Sequence, residues 1–318
     1  MRAAIIMPIN NGTTTLKEVI DSLERQKNKE IIEEIIFLDD GSNDNSSNLI
    51  AEYQKVSSYK TKLVMHAKAI GLAATYNEGV ALSKSDFFIT MHQDIVLQDD
   101  DSFKKITEPF LKNEKVVAAY PTLLHPYVIW ENYNFWQKVL FSRHVDTRFP
   151  KFAGKFDCIK KIDGLRYDEK TFYTAGEDFD FENKCKSFGL VESASLGVTH
   201  IHSRDKNFSF KRLEKKEMQL AECYGVNFKR YFFKTSIKDI VLLVARPLIL
   251  VGLFINFFFI NVLSFFALLL FVFFYTKLVY LKCYKDPRIV LLPFVNFISL
   301  TLYSIYFIKG FIWGMQRI

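Results

Sequence analysis

The sequence predicts an α/β fold, a mixed, mainly parallel sheet with helical crossovers, followed by strongly apolar helices. Three observations lead there. Short apolar runs alternate with helix-patterned stretches through the first hundred residues, the signature of parallel strands joined by right-handed crossovers. Acidic residues follow apolar runs at Asp39-Asp40, at Asp94 and at Glu177-Asp178; in such sheets ligands gather at the carboxyl ends of strands. Finally, no charged residue occurs from Pro247 to Thr276, a stretch of 30, or from Ile289 to Ile308, a stretch of 20.

Residues 3–7 (Ala-Ala-Ile-Ile-Met) form a short buried strand stopped by Pro8. Thr13-Thr14-Thr15 can cap a helix reaching about Gln26, with Leu16, Val19, Ile20 and Leu23 at helical spacing. Residues 35–38 make a second strand that ends in the turn-forming Asp39-Asp40-Gly41-Ser42. A helix near 47–55, a strand at 62–65, a helix over 71–82 and a strand over 86–91 continue the alternation as far as His92-Gln93-Asp94. Beyond Asp94 it weakens. A strand is expected at 116–124, a helix after the acidic motif within 172–188, and a strand at 195–202, while 126–160 is rich in aromatics, among them Trp130 and Trp136.

The chain has 318 residues, 49% of them apolar, and a net charge of +7. The basic excess is local. Residues 236–318 carry eight Lys or Arg against Asp239 and Asp286, and the rest is nearly balanced. Such a location points to anionic lipid headgroups and away from nucleic acid. The four cysteines (Cys158, Cys185, Cys223, Cys283) are scattered without a Cys-x-x-Cys pair, which speaks against a zinc site and for reduced thiols in a cytosolic compartment. The apolar run at the N-terminus is too short for a signal peptide and reads as the first strand. The expected organisation is a catalytic domain over 1–210, a basic juxtamembrane segment over 211–246, a membrane segment over 247–276 and a transmembrane helix over 289–310. About 20 apolar residues cross a bilayer core. The 247–276 stretch is too long for one upright span, so it tilts, begins as an interfacial helix near Arg246-Pro247, or re-enters near Asn256 and Asn261.

Several motifs in this order resemble family 2 glycosyltransferases, inverting enzymes of the GT-A fold, over about residues 3–202. Ile5-Ile6-Met7-Pro8-Ile9-Asn10-Asn11 is similar to the family's opening strand and turn, and Ser22-Leu23-Glu24-Arg25-Gln26 to the end of its first helix. Asp39-Asp40-Gly41-Ser42-Asn43-Asp44 is close to its Asp-Asp-Gly-Ser-x-Asp loop. Gly71, Asn77 and Gly79 resemble the helix before the metal motif, with Thr75 where Ala is usual. Gly164, Asp168 and Glu169 resemble the segment leading into the Glu-Asp pair. Two departures stand out. The metal motif supplies one acid where the family has two or three, and the Gln-x-x-Arg-Trp motif of processive synthases is absent.

The resemblance implies a Rossmann-like GT-A domain that binds a nucleoside diphosphate sugar through Pro8, Asn10, Asn11, Asp39, Asp40, Gly71, Asn77 and Gln93. Asp94, with His202 (favoured over His200 and His92), would hold a divalent cation, Mg²⁺ or Mn²⁺, ions that often take only one or two protein carboxylates. Asp178 would be the base that deprotonates the acceptor hydroxyl, with Glu177 beside it. Asp180, Trp130 and Trp136 would meet the acceptor, although Asp180 can equally cap its helix. The expected reaction transfers one sugar to a hydroxyl of a glycan, carried on a lipid, at the inner or plasma membrane with the catalytic domain in the cytoplasm. Alternatives are a polyprenyl-phosphate glycosyltransferase, whose acceptor oxygen is already ionised and needs no base, and a non-catalytic sugar-nucleotide sensor.

Overall fold

The structure is a computed structural model that describes residues 1–173, 175–202, 207–255 and 257–315. Asn256 and Arg317, both used above, lie outside the described residues. In chain order the elements are β1 (Ala3–Ile9), α1 (Leu16–Glu24), β2 (Ile32–Asp39), α2 (Ser46–Val56), β3 (Thr61–Met65), α3 (Leu72–Leu82), β4 (Phe87–Thr90), β5 (Ile95–Leu97), α4 (Ser102–Lys112), β6 (Val116–Leu124) and α5 (Tyr127–Trp130). There follow α6 (Phe135–Phe141), β7 (Arg148–Pro150), β8 (Cys158–Lys160), α7 (Glu177–Phe188), β9 (Leu190–His200), α8 (Phe210–Tyr231), α9 (Ile237–Gly252), α10 (Phe258–Phe274), α11 (Lys277–Lys282) and α12 (Leu292–Trp313). The chain divides into two compact units, one of residues 1–129 and 146–204, the other of 130–145 and 205–318.

The first unit is a mixed sheet in the order β3-β2-β1-β4-β8-β6-β9-β5, with β7 paired to β6. The expected parallel character holds for β3, β2, β1 and β4 and for β6 with β9. The remaining pairings are antiparallel, so "mainly parallel" describes only the N-terminal half. Alternation along β1 explains why its sequence is apolar at every position. Ala3, Ile5, Met7 and Ile9 enter one core, while Ala4 and Ile6 enter the other. A strand buried on both faces cannot spare a polar position.

α3 lies so close to β1 that a Cβ on Gly79 would stand 2.3 Å from Cγ2 of Ile6, itself fully buried. Gly79→Val should therefore cost about 1–3 kcal/mol through overpacking, read as a lowered unfolding temperature. An unchanged melting curve would show that the helix is free to lift.

In the second unit, Asn134, Ser209 and Ser236 cap α6, α8 and α9 by accepting the N–H groups of Gln137, Arg212 and Asp239. α8 and α12 cross backbone to backbone. A Cβ on Gly225 would lie 2.1 Å from the Phe307 carbonyl oxygen, and one on Gly310 the same distance from that of Glu222. Lys309 pairs with the buried Glu222 at 2.9 Å beside this crossing. α9 and α10 form an antiparallel hairpin. Gly252 abuts Ser264, the Asn261 amide donates to the Leu253 carbonyl at 3.0 Å, and the Arg246 guanidinium lies against the Phe271 and Tyr275 rings. The charge-free 247–276 stretch is thus two helices with a break after Gly252. Among the described residues one helical stretch, Pro287–Trp313 at 27 residues, is long and apolar enough to cross a membrane.

Candidate active site

Three strand ends are tied together in the first unit. The backbone N–H of Asn10, just after β1, donates to the Gln93 side chain at 2.8 Å, and the Gln93 amide returns a bond to the Asn10 carbonyl at 2.9 Å. The Asn10 amide reaches the Asp40 carbonyl at 2.7 Å. The ends of β1, β2 and β4 are therefore one surface. A Cβ on Gly12 would come within 2.6 Å of Gln93 Oε1, so glycine permits this approach. Asn11 adopts a φ of 54°, in the left-handed region that asparagine tolerates best after glycine.

The acidic loop is braced from within. Asp39 accepts the Ser42 N–H at 2.8 Å and the Ser47 hydroxyl. Asp40 accepts the N–H groups of Ile70 (2.7 Å) and Gly71 (3.0 Å) and bonds His66 at 2.9 Å. Gly71 has a φ of 99°, and a side chain there would strike Tyr173. Burial disfavours charge on His66, but its bonds to Asp40 and to Glu78 (2.7 Å) outweigh this and raise its pKa. The groups left open to solvent along these loops are Asn10, Asn11, Thr13, Asn43 and Asp44.

Asp94 sits one residue beyond Gln93 and bonds His200 Nε2 through Oδ2 at 3.0 Å. Its Oδ1 is shielded from solvent and accepts no hydrogen bond from the described residues. Burial opposes ionisation, yet His200, through its field and its hydrogen bond, and then Lys155 and His92 hold the carboxyl well below the usual range. His202 is drawn in beside it, its ring centroid 3.6 Å from that of His200, and His125 stands at 5.5 and 5.6 Å from the two. Burial, then the neighbouring His200, push the His202 pKa well below its ordinary value. A neutral imidazole beside an ionised carboxylate with an open oxygen fits a divalent cation.

Glu177 and Asp178 open α7 after Gly176, which supplies a left-handed φ of 84°. Asp178 remains partly exposed, and Oδ1 accepts its neighbour's N–H from Phe179 at 2.8 Å. Glu177 is 6% exposed. Burial, together with the charges of Glu177, Asp157, Asp94 and Asp178, pushes the hydroxyl of fully buried Tyr76 well above its ordinary pKa. The Tyr76 ring also stacks on His92, two residues before Asp94, at 6.2 Å between centroids. The stacked rings of Tyr76, Tyr167 and Phe181, with centroids 5.1 and 3.8 Å apart, fix α7 against α3.

Five sequence candidates have packing or bracing partners of their own. Pro8 is buried inside β1 opposite Leu38, beyond the last pairing of β1 with β4 at Ile6, where the missing N–H breaks no bond to β4. Asn77 donates to the Tyr167 carbonyl (3.0 Å) and Glu169 (2.8 Å) and accepts the Tyr167 N–H (2.9 Å), clamping the loop before α7. Asp180 is 0% exposed and paired with Lys184 at 2.8 Å, as befits an acid in the first turn of a helix, so it cannot meet an acceptor. Trp130 is 3% exposed with its indole N–H on the Lys138 carbonyl. It and Trp136, which packs on Phe135 and Phe210, belong to the second unit.

Three residues escaped the sequence reading. Lys155 donates to His92 Nδ1 at 2.7 Å and lowers the Asp94 pKa. His125 joins the histidine cluster. Asp157 is fully buried, accepting the N–H groups of Ala153 (3.0 Å) and Gly154 (2.5 Å). The only signal was a Gly-Lys pair between aromatics at 152–156, which carries no known spacing. Burial, then repulsion from Asp178 and Glu182, outweigh the Gly154 and Ala153 hydrogen bonds and raise the Asp157 pKa to about 8. The folded protein thus holds this proton more tightly than the unfolded chain does. The stability this brings is complete below the ordinary carboxylate range and disappears as pH rises through about 8. Asp157→Asn, which keeps the acceptor for both N–H groups, should melt like the parent below the ordinary carboxylate range and several degrees higher at pH 9. A difference independent of pH would contradict this assignment.

The comparisons with known proteins bear on the same region. The chain matches poly-beta-1,6-N-acetyl-D-glucosamine synthase from Staphylococcus epidermidis at 30% identity over 116 residues, 36% of this chain and 27% of that protein. It matches an uncharacterized glycosyltransferase of Mycoplasma genitalium at 24% identity over 153 residues, 48% of each chain. The match therefore spans between about a quarter and a half of these relatives. Among solved structures, the mannosyltransferase PcManGT of Pyrobaculum calidifontis, in complex with GDP-Man and Mn²⁺, superposes with a TM-score of 0.61 at 12% identity, covering 98% of this chain and 87% of its own. GalNAc-T7 with UDP, GalNAc and Mn²⁺ superposes with a TM-score of 0.54 at 16% identity, covering 72% of this chain and 47% of its own. At those identities the likeness establishes the fold, which is GT-A-like. The glycosyl transferase family 2 model matches residues 4–166, just over half of the sequence, and the chain belongs to that family.

Proposed function

We propose that this glycosyltransferase moves one sugar from a nucleoside diphosphate donor to a hydroxyl of a lipid-linked glycan, with inversion, in the synthesis of a cell-surface polysaccharide. The observation that supports the reading is a continuous ring stack, His92 on Tyr76, Tyr76 on Tyr167 and Tyr167 on Phe181, which joins the Asp94 loop to the first turns of α7, where the half-buried Asp178 sits. The loops 10–13 and 40–44 hold the nucleoside, through Asn10, Asn11 and the backbone that Asp39 and Asp40 brace. A divalent cation bound at Asp94 and the adjoining histidines, when present, offsets the diphosphate charge, and Lys155 stands beside it. Asp178 takes the proton of the acceptor hydroxyl as that oxygen attacks the anomeric carbon and the nucleoside diphosphate departs. Glu177, set behind it, keeps the local field negative.

Membrane attachment through the second unit is part of the proposal. Phe258, Phe259, Leu263 and Phe274 on α10 are each more than 60% exposed, an apolar surface that water disfavours. At 17 residues α10 is about 25 Å long, shorter than a bilayer core of about 30 Å. Lys238 and Arg246 on one arm, and Lys277, Lys282, Lys285 and Arg288 after the other, stand toward the base of the α9–α10 hairpin and away from its tip. A re-entrant hairpin keeps all six bases on the cytoplasmic side, with α12 as the span.

The apolar second unit also favours a second reading, transfer to a polyprenyl phosphate. Incubation of the detergent-solubilised chain with labelled nucleotide sugars, lipid-linked glycans and polyprenyl phosphate separates the two. Mass spectrometry should find a glycan heavier by one sugar. A polyprenyl-phosphate sugar establishes the second reading, a polymer ladder refutes single transfer, and donor binding without nucleoside diphosphate release refutes both.

A further inference from the structure

We propose that His66 is a positioning residue for the donor: its imidazolium, held between Asp40 and Glu78, straps the 66–71 loop onto the acidic loop that ends β2 and, through Tyr173, ties that loop to the segment entering α7. The inference deepens the transferase reading and rests on it only for the identity of the ligand. β3 pairs parallel to β2 with Met65 opposite Asp39, so the residues that follow, His66 and Asp40, emerge side by side. Nδ1 of His66 lies 2.9 Å from Asp40 Oδ1, and Nε2 lies 2.7 Å from Glu78 Oε2 on α3. An ionised carboxylate only accepts hydrogen bonds, and a neutral imidazole donates from one nitrogen. Both contacts therefore hold together only when each ring nitrogen carries a proton.

The strap reaches both sides of the site. The His66 N–H donates to the Asp39 carbonyl at 2.9 Å. Asp40 accepts the N–H groups of Ile70 and Gly71, and the two loops approach so closely that a Cβ on Gly41 would stand 2.7 Å from the Ala69 nitrogen. On the other side, the Tyr173 hydroxyl donates to the Ala69 carbonyl at 2.7 Å, and the Tyr173 carbonyl accepts the Leu72 N–H at 3.0 Å. Tyr173 stands shortly before Gly176, which caps α7. Asn77, beside Glu78 on α3, holds the same segment further upstream at Tyr167 and Glu169. Burial resists charge on the His66 ring, but Asp40 from β2 and Glu78 from α3 overcome it and raise its pKa. Asp39, the other acid at this end of β2, is turned to Ser42 and Ser47, and Lys68, on the loop itself, is exposed. The imidazolium contribution is therefore complete below the ordinary histidine value of about 6.5 and is lost as pH rises through the higher folded value. Losing the proton breaks one of the two contacts. A loop in place about a tenth of the time binds its ligand about tenfold more weakly.

The test titrates UDP and GDP, each with Mg²⁺, into the full chain in detergent across the histidine range and up to about pH 9, and follows amide exchange of the same chain without nucleotide. Affinity should fall about tenfold on the alkaline side, with a midpoint above about 6.5. Glu78→Gln, nearly isosteric, should move that midpoint down by about one pH unit, the effect of removing an opposite charge at this distance. His66→Gln should bind at every pH as the parent binds at high pH, and at about pH 6 its amides over 68–72 and 177–179 should exchange faster than the parent's. A merely structural histidine would leave the midpoint of Glu78→Gln where the parent has it. Glu78→Gln keeps the test decisive should His66→Gln fail to fold. An unmoved midpoint in Glu78→Gln, or an alkaline limb that persists in His66→Gln, overturns the proposal. If neither nucleotide binds at any pH while exchange over 68–72 responds to His66→Gln, the donor reading fails and the bracing role stands. If a nucleotide binds to the parent without an alkaline limb, the bracing role fails and the donor reading stands.

Discussion

Asp178→Asn should lower turnover by about 10²–10⁴-fold, the usual worth of a general base, while leaving donor affinity within a few-fold of the parent. The substitution is nearly isosteric. Asparagine retains an oxygen to accept the Phe179 N–H that Asp178 now accepts at 2.8 Å, so the first turn of α7 keeps its geometry. What it removes is the ability to take a proton. In the proposed reading the nucleoside and diphosphate are held at the ends of β1, β2 and β4, and α7 borders only the sugar. Steady-state kinetics with nucleotide titration separates the two effects. Parallel loss of donor affinity would mean that α7 carries part of the donor site, and retained turnover would reassign the base. Asp180→Asn is the built-in contrast. Asp180 is wholly buried against Lys184, so its loss should appear in stability first.

Asp94→Ala should weaken donor binding by about 10–100-fold when divalent metal is present and change it little in EDTA. The carboxylate is the only acid of its motif, and Oδ1 has no hydrogen-bond partner among the described residues. Its removal also leaves His200 without its acceptor. Its pKa is depressed on folding, so the stability Asp94 contributes is present at neutral pH and lost as pH falls through its folded-state value. The parent should therefore lose more stability than Asp94→Ala on acidification. Calorimetric titration of nucleoside diphosphate with and without metal checks the first expectation. An equal loss in EDTA would show that Asp94 serves the fold alone.

What sequence made legible follows from local physics. The strands at 3–7, 35–38, 62–65 and 116–124 and the helices at 71–82 and within 172–188 appear where apolar runs and periodicity placed them, because burial on both sheet faces leaves a continuous apolar trace. The antiparallel insertions were not legible. β5, β7 and β8 are three residues each, too short to carry a period, and their direction is set by partners far away in the chain. The same limit hid His125, which matters only because β6 lies beside β9. It hid Asp157 too, an acid whose burial no neighbour in sequence announces. Asn77 and Pro8 show a different limit, since in the structure Asn77 braces the loop before α7 and Pro8 lies buried within β1. A motif marks positions that matter, but it does not separate side chains that brace a loop from those that meet a ligand. The break after Gly252 reflects Gly252 against Ser264 and Asn261 on the Leu253 carbonyl, contacts a hydropathy count does not see.

The central claim is that one nucleoside diphosphate sugar occupies a single mouth formed by loops distant in the chain. Amide hydrogen exchange of the full chain, with and without saturating UDP- or GDP-linked sugar and Mn²⁺, tests it most directly. The expected result is simultaneous protection of residues 9–12, 40–44, 92–95 and 176–179 by the same nucleotide. Protection confined to one of these segments, or appearing elsewhere while all four exchange as in the free protein, would contradict the account.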